Sequence, residues 1–556
     1  MTRRSKAWWV CAAVVALAAG CSGNILDPEG SSGAAGPSEP GGSTGASAGG
    51  SPAGGNPAVK DAPTTCGPTE LGVSPLHRLT RLEYDNTIRD LIGEDLDLAR
   101  AFTEDERAGE FSGNFYTPVN ELQLGQYATA AEAAAERAVA RLSDLLPCQP
   151  SGDGAECATR FIQQFGRRAH RRPLAEQEVA RYQELFELGR SGAGFENGIK
   201  LVVEAMLQSP FFLYLVEGPG PLDQHQLAAR LSYFLWKAPP DAPLAEAADR
   251  GKLDTLVAFR KEASRMLEDP RADAMIADFH TQWLGLDKFE KLPKDTTLYP
   301  EFEDLKPAMA EETHRFVAEV MGEDGRLPTL LTASYSVVNG PLAALYGAAD
   351  HGADWKKTEL DPKQRAGLLT QASFLAEHGA LDGSSPIRRG LAVRERFLCS
   401  EVPPPPPVAE NIPEAKPTQT TRQRFDEHRT DPSCASCHTM MDMLGYGFES
   451  YDGIGRYRTT ENGITVDDSG AFIGTDVDGP FEGAPELARQ LVKSKQMHAC
   501  VTTQWFRYAF GRLDTKLDSC TLEAIAKRFT QADLRIPELL LAIVESDAFR
   551  THRSEE

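Results

Sequence analysis

The sequence predicts a mainly α, multidomain fold. Three observations carry that reading. Apolar residues recur at helical spacing from Thr80 to Leu398 and again from Glu486 to Val544. Two stretches separate packed parts: residues 23–64, dominated by Gly, Ser, Ala and Pro, cannot bury enough apolar surface to fold, and the five consecutive prolines Pro403 to Pro407 form a stiff polyproline II spacer. Between the prolines and the last helices stands a short cysteine–histidine run in a segment rich in Gly and aromatic residues.

The first element is a leader. Met1 to Gly20 opens with Arg3, Arg4 and Lys6 and continues with the apolar run Ala7 to Ala19. That pattern reads as a secretory signal, because the run is too short to cross a bilayer. It ends Ala18-Ala19-Gly20-Cys21-Ser22, which resembles the lipobox of bacterial lipoproteins. Cys21 is then the candidate lipidated N-terminus; ordinary cleavage near an Ala-x-Ala-like site is the alternative. Residues 21–65 form a Gly/Ser/Pro-rich tether. The expected setting is outside the cytoplasm. A lipid anchor would hold the chain on a membrane in the periplasm, at the outer membrane or at the cell surface. No later apolar stretch approaches 18 residues.

About 490 residues follow the tether, enough for several domains by length. Thr80-x-x-Glu83 is a capping box that opens a helix ending at Gly93. Ala128 to Leu146, Glu176 to Leu188 and Gly198 to Leu207 continue at helical spacing. So do Gln224 to Leu235, Thr255 to Leu267, Ala272 to Leu284, Glu301 to Val320, Gly367 to Glu377 and Gly390 to Leu398. The body is expected to divide into helical domains 66–147, 148–220 and 221–350, with a further helical part at 351–400, boundaries that the family resemblance given below implies. A Pro-rich linker, 401–420, leads to the segment 421–484 and a C-terminal helical domain, 485–556. Asp467-Asp468 and Asp476-x-Asp478-Gly479 read as turns; a calcium site is the alternative, without full EF-hand spacing.

The run itself is Cys434-Ala435-Ser436-Cys437-His438. Cys-x-x-Cys-His is the attachment sequence of a c-type haem: two thiols on one side of a helix add to one porphyrin, and the imidazole that follows ligates the iron. With 10 Cys and 11 His in 556 residues, chance supplies only about 0.004 such runs. A zinc half-site, a redox dithiol and a plain Cys434–Cys437 disulfide are the alternatives. Asp431-Pro432 just before the run is a helix-opening signal. The fold class is therefore a multidomain helical protein with a c-type-cytochrome-like haem segment near its C-terminus. The cofactor is covalent haem c, held by Cys434, Cys437 and His438, with His438 as proximal iron ligand.

A second axial ligand must come from elsewhere in the chain. Met440, Met441 and Met443 follow His438 too closely to reach the other face of the macrocycle. Met497 and His378 are the candidate distal ligands, with His498 a further one; an open position is the alternative. Tyr446, Phe448, Tyr451 and Tyr457 are candidates to wall the haem, an ordinary aromatic turn being the alternative, and Arg456 and Arg458 to pair with its propionates, a solvated face being the alternative.

Six cysteines remain after Cys11, Cys21 and the haem pair, an even number that suits an oxidising compartment. Sequence closeness favours Cys148–Cys157 and Cys500–Cys520, which leaves Cys66–Cys399. The formal charge of −23 argues against nucleic acid as a partner. A redox partner protein is compatible with that charge. Arg89, Arg167, Arg168 and Arg389 are candidates either for an anionic substrate or for structural pairs.

Several phrases carry a family resemblance. Leu79-Thr-Arg-Leu-Glu83-Tyr84-Asp-Asn86, Phe165-Gly166-Arg167-Arg168, Leu227-Ala-x-Arg230-Leu231-Ser232, Ser385-Pro386-x-x-Arg389-Gly390 and Tyr508-Ala509-x-Gly511-Arg512 follow in order. Together with Cys434 to Arg458 they resemble the planctomycete-type cytochrome-c-associated multidomain family, exported bacterial proteins whose domains are mostly of unknown function. The resemblance covers residues 66–552 and implies a haem-bearing, mainly helical exported protein. Where that family commonly has Met-Asp-Pro, this chain has Met441-Asp442-Met443.

The expected function is an exported c-type haem lipoprotein, in electron transfer or as part of a periplasmic or surface oxidoreductase system. One alternative is a non-haem binding or assembly module with a Cys434–Cys437 disulfide. Another is a haem enzyme with an open axial position. Whether the protein is an enzyme is left open, a haem-dependent oxidoreductase being the class if so. No hydrolase or phosphate-loop motif occurs.

Overall fold

Caps decide where the helices begin. Thr80 and Glu83 satisfy each other's backbone donors, and the helix Arg81–Ile92 stops at Gly93, whose φ of 77° is left-handed. The Ala-rich helix runs Glu121–Ala140 rather than from Ala128, because Asn120 and Gln123 build a capping box earlier in the chain. Ser385 caps Pro386–Ala392, with proline in the first turn, where its missing N–H costs nothing. That helix widens into a π-turn over Val393–Phe397, within the stretch expected as plain helix.

The computed structural model describes residues 72–115, 117–403, 416–428 and 432–553, with the backbone alone at 427–428, 432–434 and 436–437. The expected leader, Cys21, the tether and most of the proline run lie outside the described residues. The architecture is mainly helical and multidomain, with 23 α-helices among the described residues. Among the described residues the strands form two-stranded antiparallel ladders only. Two of them are long-range clasps: His77–Arg78 pairs with Tyr214–Leu215, and Thr551–His552 pairs with Gly220–Pro221. No described helix is long and apolar enough to cross a membrane.

The described residues form one compact unit, and its buried apolar residues fall into two cores. The smaller draws on Leu79 through Leu215 and is completed by Tyr233. The larger draws on Leu222 through Phe549 and is entered by Phe111. Residues on both sides of position 148 therefore share one core, and the other is built almost wholly from residues after Leu222. Arg171, at the end of the helix Ala155–His170, ties parts of the smaller core together. Its guanidinium donates to the carbonyls of Phe211, Phe212 and Tyr214 and to the Tyr233 hydroxyl. A planar five-donor fork suits that task.

In the larger core, the Phe279 and Trp505 rings stack at 3.5 Å, with Trp283 and Tyr508 packed against them. This cluster joins the helix Arg271–Trp283 to the helix Lys495–Phe510. Each large ring removed from water contributes on the order of 2–3 kcal/mol.

The cysteine pairing corrects one expectation. Cys148 is bonded to Cys157. Cys500, however, is bonded to Cys399, so neither Cys500–Cys520 nor Cys66–Cys399 forms. Cys520 is also disulfide-bonded, and Cys66 lies outside the described residues. Sequence closeness misled because the tertiary fold brings Leu398 against the helix that carries Cys500: Gln496 donates to the Leu398 carbonyl at 2.9 Å.

Candidate functional site

The Cys-x-x-Cys-His run lies on the helix Pro432–Gly445, as the proline at its first position predicts. The Cys434 and Cys437 side chains fall outside the described atoms. The Cys399–Cys500 disulfide closes a loop that contains this helix. The helix is pressed backbone to backbone on Pro386–Ala392. A Cβ at Gly390 would meet the Met441 carbonyl oxygen at 1.9 Å, and one at Gly445 would meet the Pro386 oxygen at 1.8 Å. Only glycine at both crossing points permits that approach.

His438 is the chemical centre of the helix. Its Nδ1 lies 3.2 and 3.3 Å from the two carboxylate oxygens of Asp442, one turn later. The Asp442 side chain is fully buried, whereas that of His438 is 15% exposed. A ring whose Nδ1–H donates to a buried acid presents Nε2 as its metal-binding nitrogen. Sequence reasoning passed over Asp442. The signal was its i+4 spacing from His438 on a helix, which puts the two side chains on one face.

The proposed distal ligands stand in other surroundings. Met497 is fully buried within the larger core. The Nε2–H of His378 donates to the Leu284 carbonyl at 3.0 Å. Burial, with Arg396 nearby, holds the imidazole down to about 3, so the ring is neutral. His498 likewise donates from Nε2, to the Val492 carbonyl at 2.8 Å. The aromatic residues after the run serve packing. Phe448 and Tyr451 are part of the larger core, and the Tyr446 hydroxyl donates to Asp426 at 3.0 Å.

The expected anion-holding arginines have partners within the protein. Arg456 pairs with Glu301, and Arg458 pairs with Glu449 and Glu461. Arg167 pairs with Asp249 and Arg168 with Asp90. Arg389 is fully buried. It donates to the carbonyls of Leu375, Phe448, Tyr451 and Asp452 and so clamps the loop that follows the motif helix. Beside it, burial pushes the Glu449 carboxyl up to about 7, and Ser384 donates to it at 3.0 Å. The acidic loop is spent on turns and caps. Asp476 accepts from the backbone of Lys495 and Gln496 at a helix start, and Asp478 accepts from Gly474 and Thr475. Among the described residues no cluster of three or more His, Cys, Asp or Glu is arranged to hold a metal ion.

Five family models match successive stretches of the chain, each described as a protein of unknown function. They are DUF1587 over residues 77–140, DUF1595 over 157–217 and DUF1592 over 222–348. DUF1588 follows over 365–461 and DUF1585 over 478–549. The set is of the planctomycete cytochrome-c-associated type. The DUF1588 match spans the Cys434-to-His438 run. No curated protein and no solved structure matches the chain.

Proposed function

We propose that the protein is an exported c-type haem lipoprotein that passes electrons, as a subunit or partner of an oxidoreductase system in the periplasm or at the cell surface. The observation that carries this reading is the His438–Asp442 pair on a helix that also bears Cys434 and Cys437. The donor set fits the group: two thiols at thioether spacing and an imidazole with its Nδ1 occupied, as a proximal ligand requires. Cys434 and Cys437 would hold the porphyrin and His438 its iron. A c-type haem, when bound, supplies one-electron chemistry.

The chain's own residues supply rigidity around the run. The glycine crossing fixes the motif helix, Arg389 fixes the loop after it, and the Cys399–Cys500 bond ties the two ends of the segment together. Disulfides at Cys148–Cys157 and Cys399–Cys500 support an oxidising compartment. The basic–apolar leader ending at Cys21 supports export with a lipid anchor. Burial of Met497 and the engaged Nε2 of His378 count against both as second iron ligand in this conformation.

The test is expression of the full chain with a cytochrome maturation system, followed by intact-mass measurement and oxidised and reduced visible spectra. One haem mass is expected on the wild type, absent in Cys437→Ala. A chain that has only lost two thiol hydrogens at Cys434 and Cys437 would refute the proposal in favour of a disulfide-bearing assembly module. Carbon monoxide or cyanide binding at the native iron would shift the reading to a haem enzyme with an open position.

A further inference from the structure

We infer that Asp442 is a positioning residue for the iron ligand His438, and that it sets the donor strength of that imidazole. The inference rests on the haem reading above.

The two side chains are one helical turn apart, and both carboxylate oxygens lie within 3.3 Å of Nδ1. An i,i+4 pair on a solvated helix would be weak, because water screens it. This pair is different, because the acid is fully buried. With no solvent to screen it, a carboxylate accepting from Nδ1–H polarises the ring strongly. It fixes the tautomer with the proton on Nδ1. It also holds the ring plane and makes Nε2 a stronger donor.

The helix cannot rotate to break the contact. Gly390 and Gly445 lock it against its neighbour at 1.9 and 1.8 Å from any added Cβ. Arg394 donates to the Ile473 carbonyl at 3.0 Å, just after the strand Ser469–Phe472 that packs on the motif helix. A stronger imidazole donor stabilises the ferric over the ferrous state, and ligand basicity is one of the few levers a protein has on haem potential. Asp442 would therefore hold the potential below that of the same site with a neutral partner.

The experiment is potentiometric titration of the haem-loaded full chain as wild type and as Asp442→Asn. The amide keeps an acceptor oxygen and the side-chain shape but removes the charge. The expected result is about a tenfold shift of the ferric/ferrous equilibrium toward ferrous, a rise of about 59 mV for a one-electron couple. A merely structural role would lower the melting temperature and leave the potential where it was; that outcome overturns the inference while leaving haem attachment intact.

A wild type that carries no haem overturns the haem reading and this inference together. If Asp442→Asn does not fold, the wild type decides. In the ferrous protein, the Nδ1 proton of His438 should give a downfield resonance protected from solvent exchange. A rapidly exchanging Nδ1 proton refutes the pairing.

Discussion

Replacing Gly390 with alanine tests the geometry on which the motif helix depends. In an open helix the change is favourable, because alanine outranks glycine by about 1 kcal/mol. At Gly390 the new Cβ would sit 1.9 Å from the Met441 carbonyl oxygen, 2.8 Å from its carbon and 3.0 Å from the Gly445 nitrogen. All three are backbone atoms, so no side chain can swing aside. Restoring a tolerable contact means separating the two helices by roughly 1 Å along their crossing, and overpacking of that kind costs about 1–3 kcal/mol or more. Taking the upper end and subtracting the propensity gain leaves a net loss of about 2 kcal/mol. Gly125→Ala is the matched control. That glycine lies in the helix Glu121–Ala140 with nothing within 4 Å of an added Cβ. It should stabilise by about 0.5–1 kcal/mol. Urea unfolding followed by far-ultraviolet circular dichroism reads both variants. The two should move midpoints in opposite directions. An Asn or Ser scan is unnecessary, because a Gly390→Ala protein as stable as wild type would by itself refute the backbone-to-backbone crossing.

Two further outcomes follow from buried charge. Arg389→Met should cost about 3–5 kcal/mol, since it strands four carbonyls and removes the cation beside buried Glu449. Hydrogen exchange should show amides of residues 446–452 opening first, and unchanged protection there would contradict the clamp. Glu312 is fully buried, accepts from Ser336 at 2.7 Å and Tyr346 at 2.6 Å, and is pushed up to about 7 by desolvation. Its pKa is raised in the folded state. Its favourable contribution is therefore complete below the unfolded value of 4.5 and is lost as pH rises toward 7. Glu312→Gln should thus gain on wild type across that window, by about 3 kcal/mol at pH 8. Parallel stability curves for the two proteins between pH 4 and 8 would show the assignment to be wrong.

Much of the local structure was legible without coordinates. Thr80 with Glu83 and Gly93 marked one helix at both ends, and Ser385-Pro386 marked the start of another. Pro432 placed the Cys434-to-His438 run on a helix. The Ala-rich helix was mistaken at its start because the Asn120–Gln123 box lies before the apolar pattern begins. Of the aromatic residues that follow His438, Phe448 and Tyr451 pack into the main core. Their proximity to the motif in sequence says nothing about which surface they face.

The sequence by itself determined the mainly helical class, the caps and the helix that carries the motif. Each of these is set within one or two turns, where propensity, capping and apolar spacing act on neighbouring residues. Tertiary structure alone decided which cysteine meets Cys399, why Gly390 and Gly445 must be glycine, and what Arg389 holds. It also decided that Asp442 is buried beside His438. These depend on which helix faces meet across more than fifty residues of chain. Such contacts follow from the joint packing of a whole core, and no local pattern encodes them.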